Sequence, residues 1–248
     1  MSFTFRRVMH TLRRRELTVR ATRRVTPEML RITFAGDDLH DFTSAAPDDH
    51  IKLFVVQEGG EVVSRDYTPR RFDTSAGTLD IDFALHDAGP ATRWALGAKP
   101  GDTLQVGGPK GSRVMDGEPA WRLFIGDETA LPAIGRSIEE APAGAKVISL
   151  VAVTNEANEQ LFDTRAQYEA HWVHRPADRA DDPQPVLDAL AKLALPDGDG
   201  FVWIAAEAHV TRAVRDHVRG VLKGSPNSVK ASGYWIKGRA DANEKFED

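Results

Sequence analysis

The sequence predicts a two-part fold, in which a small antiparallel β-barrel precedes an α/β domain built on a parallel sheet. Residues 1–110 contain only short β-branched segments separated by turn residues. One of these segments, 78–85, alternates apolar and acidic side chains with the period of a half-buried strand. After Gly117, continuous apolar runs alternate with stretches of helical periodicity, which is typical of βαβ units. The chain therefore belongs to a β plus α/β fold class.

The barrel strands are predicted from their short length and close spacing. A Thr26-Pro27 turn separates the first two, and Gly59-Gly60 closes a hairpin-like turn between the third and the fourth. The predicted barrel strands are residues 16–24, 30–34, 50–56, 61–64, 78–85 and 103–106. Strands this short and this closely spaced favour a barrel.

The second half is predicted from three apolar strands with little alternation, as expected for parallel strands that are covered on both faces. These strands are residues 121–125, 146–153 and 201–205, and the predicted helices are 130–140, 185–195 and 207–222. The boundary is expected within 111–120, which gives domains 1–115 and 116–248. Residues 176–185 are predicted to form an exposed loop, and the Tyr234-Trp235 pair to anchor the C-terminal tail.

Composition excludes several classes of protein. The chain has 248 residues and no cysteine, so it has no thiol nucleophile, no cysteine-ligated metal and no disulfide. The net charge of -5 argues against nucleic acid as a partner. No apolar run reaches the ~20 residues of a membrane span, and the N-terminus lacks the apolar core of a signal peptide. We therefore expect a cytoplasmic protein with no membrane partner, and a monomer, since one barrel and one α/β domain suffice.

The first candidate for binding chemistry is Arg65-Asp66-Tyr67-Thr68, which follows a predicted strand. An arginine provides a planar fork of donors for a phosphate, and a tyrosine provides a wall for a flat ring. The hydroxyl of Thr68 is placed to tune the electronics of such a ring. The alternative is a strand end that carries ordinary surface charges.

The second candidate comprises residues 86–92, directly after the strand that ends at Leu85. Gly89 permits a close approach to the backbone, and Pro90 suits the first turn of a helix. The free N–H groups of that turn could receive a pyrophosphate. The alternative is a plain Gly-Pro turn that begins a helix.

The third candidate comprises residues 126–132, at a turn from strand to helix. It has neither the G-x-G-x-x-G spacing nor the lysine of a P-loop. Because Asp127 and Glu128 would repel a phosphate, this turn is expected to contact a ring or a ribose. The alternative is a helix capped by Asp127 or Thr129. The chain has no H-E-x-x-H or G-x-S-x-G motif, and its eight histidines lack metal-site spacing.

Taken together, these segments resemble the siderophore-interacting protein family, the ferric-siderophore reductases of the ferredoxin–NADP reductase superfamily. The resemblance covers nearly the whole chain, and GDETALPA and the Tyr-Trp tail are its most specific segments. The matching segments are LTVRATRRVTPEMLRITFAGDDL at 17–39, DDHIKLFV at 48–55, RDYTPR at 65–70, DFALHDAGPATRWA at 82–95, GPKGS at 108–112, GDETALPAIGRSIE at 126–139, IAAEA at 204–208 and GYWIKGRA at 233–240.

This resemblance implies a six-stranded type of FAD-binding barrel, followed by an α/β domain that binds NAD(P)H. The residues implied to bind the flavin cofactor are Arg65, Asp66, Tyr67, Thr68, Asp82, Ala84, His86, Gly89, Pro90, Ala91, Thr92 and Thr129. Those implied to contact the nicotinamide nucleotide are Asp127, Glu128 and Glu207. Ala206 stands where the family usually has glycine, and its methyl group would crowd a dinucleotide.

The resemblance also implies the reaction, in which Fe(III) held by a siderophore is reduced to Fe(II). Electrons would come from NADH, NADPH or reduced ferredoxin, and no protein nucleophile is needed because the flavin carries the chemistry. Since many ferric siderophores are anionic, a local basic patch must attract them. The candidate residues are Lys52, Arg70, Lys237 and Arg239. Two alternatives remain open: an NAD(P)H oxidoreductase that reduces free flavin, quinone or a carrier protein, and a flavoprotein that binds siderophore without turnover.

Overall fold

The computed structural model describes residues 3–57, 59–85, 89–222, 228–239 and 244–246. The chain divides into two compact units. One comprises the described residues between 5 and 115, and the other comprises residues 3–4 together with the described residues from 116 onward.

The unit of residues 5–115, the barrel unit, is built mainly from β-strands. Its strands are β1 (Phe3–Met9, which begins in the other unit), β2 (Arg14–Thr26), β3 (Met29–Ala35), β4 (Ile51–Val56), β5 (Val62–Tyr67), β6 (Arg71–Asp73), β7 (Thr78–Ala84), β8 (Thr103–Gly107) and β9 (Gly111–Gly117), with one helix, α1 (Pro90–Gly97). Seven of the strands form an antiparallel sheet in the order β5-β4-β8-β2-β3-β7-β6, and β1 pairs with β9.

This sheet must curl, because its two outer strands follow one another in the chain. Only residues 68–70 join β5 to β6, and so short a link spans at most ~14 Å. A flat sheet of seven strands would hold its outer strands ~29 Å apart. The sheet therefore wraps around a core that includes Leu17, Ile32, Phe34, Leu53 and Phe83. The antiparallel barrel predicted from the sequence is confirmed, and its sheet has seven hydrogen-bonded strands.

The other unit, the α/β unit, contains β10 (Trp121–Asp127), β11 (Lys146–Val153), β12 (Gln167–His174), β13 (Gly200–Glu207), β14 (Val229–Trp235) and β15 (Glu244–Lys245), with α2 (Leu131–Glu139), α3 (Gln184–Leu190) and α4 (Ala208–Leu222). The sheet order is β12-β11-β10-β13-β14-β15. All pairs are parallel except β14 with β15, so the predicted parallel sheet is confirmed.

Helices cover both faces of this sheet. Valines and leucines of α3 and α4 pack with one face of β10, β11 and β13. The other face receives α2, which approaches closely because Gly126 has no side chain: a Cβ there would lie 2.7 Å from the Cβ of Ala130. The chain adds strands to this sheet on both sides of β10: β11 and β12 lie on one side, and β13 and β14 lie on the other. Such a switch point is where α/β folds bind nucleotides, at the carboxyl ends of the strands.

One local prediction needs correction. The helix expected at 185–195 ends at Leu190, since Ala191 to Leu193 continue only as a turn. Residues 154–166, which join β11 to β12, hold no α-helix, and Leu161 within them is wholly exposed.

Candidate functional site

The first candidate motif lies within strand β5 and not after it. Arg65, Asp66 and Tyr67 are its last three residues, so their side chains alternate between the two faces of the sheet. Tyr67 packs against the barrel core, and Arg65 shares that face because it stands two residues away. Asp66 points to the opposite face, where it accepts a 2.9 Å hydrogen bond from Lys52 Nζ. Asp66 and Lys52 therefore lie on one face of the sheet, and Arg65 and Tyr67 lie on the other.

Tyr67 connects the end of β5 to helix α1. Its ring lies 4.6 Å from the ring of Phe83, and its hydroxyl is hydrogen-bonded to Thr92 in the first turn of α1. Burial raises the pKa of the Tyr67 hydroxyl, so it remains protonated and neutral. Two segments that the sequence singled out separately, 65–68 and 89–92, are thereby brought together.

A buried ion cluster lies behind this junction. Asp82 on β7 receives two hydrogen bonds from the Arg31 guanidinium, at 2.6 and 2.7 Å, because the two residues are direct partners across β3 and β7. The Arg70 side chain is 3.8 Å from Asp82, and Arg70 is only 3% exposed. Arg70 was expected to contact siderophore, but the structure places it in an internal ion pair. Thr68 and Ala84 are also buried.

The N-terminus of α1 offers a place for a diphosphate. Pro90 occupies the first turn, and Gly89 precedes the helix without a side-chain cap. Apart from the chain neighbours of Gly89, no atom among the described residues lies within 4 Å of where a Gly89 Cβ would be. The first-turn N–H groups of Ala91 and Thr92 can therefore receive an anionic group. His86 was also expected at the cofactor, but it lies outside the described residues.

These observations fit an FAD in the barrel unit. The Tyr67–Thr92 hydrogen bond joins the Tyr67 ring to the uncapped N-terminus of α1, and the charge of the Arg65 guanidinium acts on the Tyr67 hydroxyl. A diphosphate is bound by a guanidinium and by free N–H groups, and a flat ring packs against an aromatic side chain, so these three groups suit FAD. Asp66 is the residue of the motif that faces away from this set.

In the α/β unit, Asp127 at the end of β10 is fully occupied by internal hydrogen bonds. One oxygen accepts from the Thr129 N–H at 2.9 Å and from its hydroxyl at 2.5 Å. The other accepts from the Glu207 N–H and the Trp235 indole, both at 2.9 Å. Asp127 was expected to contact the nucleotide, with a helix cap at Asp127 or Thr129 as the alternative. That alternative is wrong, because the N-cap of α2 is Ala130 and no side chain caps the helix. Asp127 instead fixes the turn before α2 through Thr129.

Glu207, at the end of β13, is likewise engaged. One carboxylate oxygen accepts from His209 N–H at 2.6 Å, which ties the strand to the start of α4. The other accepts from Lys237 N–H at 3.2 Å. The Lys237 ammonium binds the Asp181 carboxylate at 2.6 Å and the carbonyl of Asp178, and its hydrogen bond lowers the pKa of Asp181. Lys237, which was predicted to contact siderophore, therefore forms an ion pair within the chain. Arg239, the other predicted contact near it, is exposed.

Glu128 forms a buried ion pair with Arg175, with 2.8 Å between Oε2 and Nη2. Burial, with the neighbouring charge of Asp127, raises the pKa of Glu128 to about 7, although Arg175 opposes the shift. Arg175 was missed at the sequence level. It follows β12 directly, so its position after an apolar strand was a usable signal. The roles of Arg31 and Asp181 depend on pairing between distant segments and had no such signal.

Two features are absent from the residues that the structure describes. Over the described ranges, no helix is long and apolar enough to cross a membrane. Within the same residues, no group of three or more His, Asp or Glu side chains could hold a metal ion.

The fold and these two sites define a flavin-dependent reductase with a nucleotide-binding α/β unit. Residues 119–238 match the family model described as siderophore-interacting protein, and residues 18–64 and 57–113 match the siderophore-interacting FAD-binding domain. The chain belongs to the siderophore-interacting protein family, and it carries that family's FAD-binding domain. The resemblance stated from the sequence is confirmed, as are the FAD and NAD(P)H cofactors.

Named relatives cover the chain almost completely. It is 35% identical to the NADPH-dependent ferric-chelate reductase of Escherichia coli, across 92% of this chain and 95% of that protein. It is 30% identical to the ferric vibriobactin reductase of Vibrio cholerae, across 87% of this chain and 86% of that protein. A solved structure of a siderophore utilization protein from T. fusca superposes with a TM-score of 0.88 at 35% identity, covering 97% of this chain and 98% of that one.

Proposed function

We propose that this chain is an FAD-dependent ferric-siderophore reductase, which takes electrons from NADPH, NADH or reduced ferredoxin. The observation that carries the proposal is the junction of Tyr67 and Thr92, where the end of β5 meets the uncapped N-terminus of α1. It lies within the part of the chain that matches an FAD-binding domain. The names of the two relatives supply the substrate class.

The two units divide the work. Residues 1–115 hold FAD: the Arg65 guanidinium and the N–H groups of Ala91 and Thr92 bind phosphate oxygens, and Tyr67 forms a wall beside the flavin ring. Residues 116–248 bind the nicotinamide nucleotide near the carboxyl ends of β10 and β13.

Electron transfer requires little acid–base chemistry from the protein. When bound, FAD supplies the conversion of a two-electron hydride into single electrons. The hydride of one NADPH carries two electrons, so each NADPH oxidised to NADP⁺ reduces two Fe(III) to two Fe(II) and leaves one proton. The protein's side chains hold the nucleotide and the chelate in place, and Lys52 attracts the anionic chelate.

The proposal also covers the setting of the reaction. It places the protein in the cytoplasm, where NADPH, NADH and reduced ferredoxin are available, and it takes the monomer as the working unit. Sedimentation of the purified FAD-loaded protein tests the second statement, and fractionation of cells that express it from its own promoter tests the first.

The deciding experiment is an anaerobic visible spectrum of the purified protein. We expect flavin bands that bleach with NADPH or NADH and return when a ferric siderophore is added. Bleaching only with reduced ferredoxin, followed by recovery with siderophore, keeps the reductase and changes its donor. Bleaching without recovery indicates another acceptor, such as a quinone or free flavin. If no flavin bands appear even after FAD is supplied, the proposal fails.

A further inference from the structure

A row of side chains crosses the outward face of the barrel unit's sheet. Gly107 on β8 is the direct partner of both Arg14 on β2 and Lys52 on β4. Directly paired residues project to the same face of a sheet. Arg14 and Lys52 both alternate with buried neighbours and are exposed. Two cations therefore point outward on the same side, with their Cα atoms ~10 Å apart.

The space between the two cations is filled by an aromatic ring. Gly107 has no side chain, and the Phe54 ring lies over it: a Cβ on Gly107 would be 3.0 Å from Phe54 Cε2. The Arg14 guanidinium lies 3.7 Å from the centroid of the same ring. This stacking orients a planar cation that would otherwise be mobile on the surface. Gly107 thus makes room for the ring, and the ring positions Arg14.

The two cations of this row differ in whether a carboxylate is paired with them. Lys52 is paired with Asp66 on β5, at 2.9 Å, although both side chains are well exposed. A pair of this kind contributes little and yields readily to a stronger anion. In the part of the chain that the structure describes, no carboxylate lies within ion-pair distance of Arg14. The nearest acidic position along its own strand, Glu16, is opposite Gln105, one row away.

We propose that Arg14 is a second siderophore-contacting cation, positioned by Phe54, and that the Arg14–Phe54–Lys52 row favours chelates whose iron-binding groups are anionic and aromatic. This inference rests on the proposed function, since it extends the substrate site around Lys52. A guanidinium stacked on a ring keeps its outer face and its N–H edge available. It stacks on one catecholate ring while its N–H edge donates to the oxygens of another ring of the same complex.

The expected selectivity follows from charge. A ferric tricatecholate complex carries a net negative charge and three aromatic rings, whereas a ferric trihydroxamate complex is close to neutral and aliphatic. Two outward cations and a stacking plane stabilise only the first kind of complex strongly. The row therefore discriminates by affinity, which appears in KM and in equilibrium binding.

Arg14→Ala tests the contact, and Arg20→Ala is the matched control. Arg20 lies on the same strand, is also exposed, and removes the same charge, but it stands ~20 Å from Arg14. Binding is measured by calorimetry on FAD-loaded protein, with the redox-inert gallium(III) tricatecholate as the probe. Reduction is measured with the ferric tricatecholate and with a ferric trihydroxamate.

We expect Arg14→Ala to raise the tricatecholate KM and Kd by about five- to tenfold, with kcat unchanged, and Arg20→Ala to change them by less than about twofold. The trihydroxamate KM should be nearly unchanged in both. Equal effects of the two substitutions, or equal losses for both chelates, would overturn the proposal. If the wild-type protein reduces neither ferric chelate, the proposed function fails, and the gallium binding still decides whether Arg14 contacts the ligand.

Phe54 needs a separate test, because it acts through Arg14. Phe54→Leu keeps an apolar side chain but removes the ring, and we expect about a threefold rise in the tricatecholate KM without a change in kcat. Phe54→Trp restores a ring and should restore the affinity. If Phe54→Leu lowers FAD content or kcat instead, its role is structural and the positioning argument is wrong.

Discussion

In the barrel unit, the helix N-terminus proposed to hold the flavin diphosphate carries no side-chain cap, whereas in the α/β unit the predicted nucleotide residues are hydrogen-bonded to other parts of the chain. Gly89 precedes a helix with no side-chain cap and no neighbour where a Cβ would stand. Asp127 accepts four hydrogen bonds from three other residues. Both segments follow strands, and both contain polar residues.

The difference teaches that a polar residue at the end of a strand has two possible uses. It can present donors or acceptors to a ligand, or it can join neighbouring strands. The two oxygens of Asp127 join β10 to the turn before α2, to β13 and to β14, so it organises the edge at which a nucleotide would bind. The predictions below test whether this contrast between an open and an occupied site holds.

Asp127→Ala should have the largest effect. It leaves the Glu207 N–H, the Trp235 indole and the Thr129 N–H without their acceptor, and buried donors left unpaired cost about 1–3 kcal/mol each. We expect the α/β unit to lose about 3–5 kcal/mol of stability. Calorimetry should show this loss as a lower unfolding temperature. Asp188→Ala, on the exposed side of α3, is the control. An unchanged unfolding temperature for Asp127→Ala would mean that the hydrogen bonds of Asp127 do not stabilise the α/β unit.

Arg65→Ala should weaken FAD binding by about tenfold or more, because a charge-assisted hydrogen bond to phosphate contributes about 1.5–3 kcal/mol. The measurement is the ratio of flavin to protein absorbance after ultrafiltration. Arg23→Ala, on the exposed part of β2, should retain the full flavin content. A fully yellow Arg65→Ala protein would remove this residue from the cofactor site.

Glu128 should make stability depend on pH. Its pKa is raised to about 7 in the folded protein, so the folded state binds this proton more tightly than the unfolded chain does. The stabilisation is fully present below the ordinary carboxyl pKa and is lost as pH rises through about 7, a loss of about 3 kcal/mol. Thermal unfolding between pH 5 and pH 8 measures it.

Glu128→Gln should remove this part of the pH dependence, and Glu156→Gln, at an exposed turn, should leave it unchanged. Curves of Glu128→Gln and wild type that run parallel over the whole range would show that the carboxyl stays ionised beside Arg175.

Ala206→Gly should have the smallest effect. The Ala206 methyl lines a cavity of about 10 Å³ at the end of β13, together with Asp127 and Arg175. Removing it should lower the KM for NADPH a few-fold and cost about 0.5–1 kcal/mol of stability through backbone freedom. Steady-state kinetics at saturating ferric siderophore measure the KM. An unchanged KM would mean that the nucleotide does not reach this methyl group.

Most of the fold could be predicted because its signals are local. Strands such as β7 and β11 and helices such as α2 and α4 follow from side-chain periodicity over a few residues. Strand β14 was not predicted, because VKASGYW has no apolar run. It is a strand because it pairs with β13 and β15. Strands β1 and β9 were missed for the same reason, since they pair mainly with each other.

The candidate site was predictable as a set of segments but not as a set of contacts. Arg65, Tyr67 and Gly89 were identified from their chemistry and order. The partners of Asp127 stand 80 and 108 residues away in the chain, so its occupancy had no local signal. The outward direction of Asp66 depends on where β5 ends, and a strand boundary is the least predictable feature of a sequence.

The connection between β11 and β12 gives the protein a place to accept additional sequence. Residues 154–166 are held at both ends, by the Asn158 amide on Thr154 and by the Thr164 hydroxyl on Ile138. Leu161 between them has its side chain wholly in solvent. Exposed loop tips of this kind tolerate insertion and are cut first by proteases. An epitope or a reporter domain placed after Leu161 should leave both units folded, which makes this loop the natural point for labelling the protein inside cells.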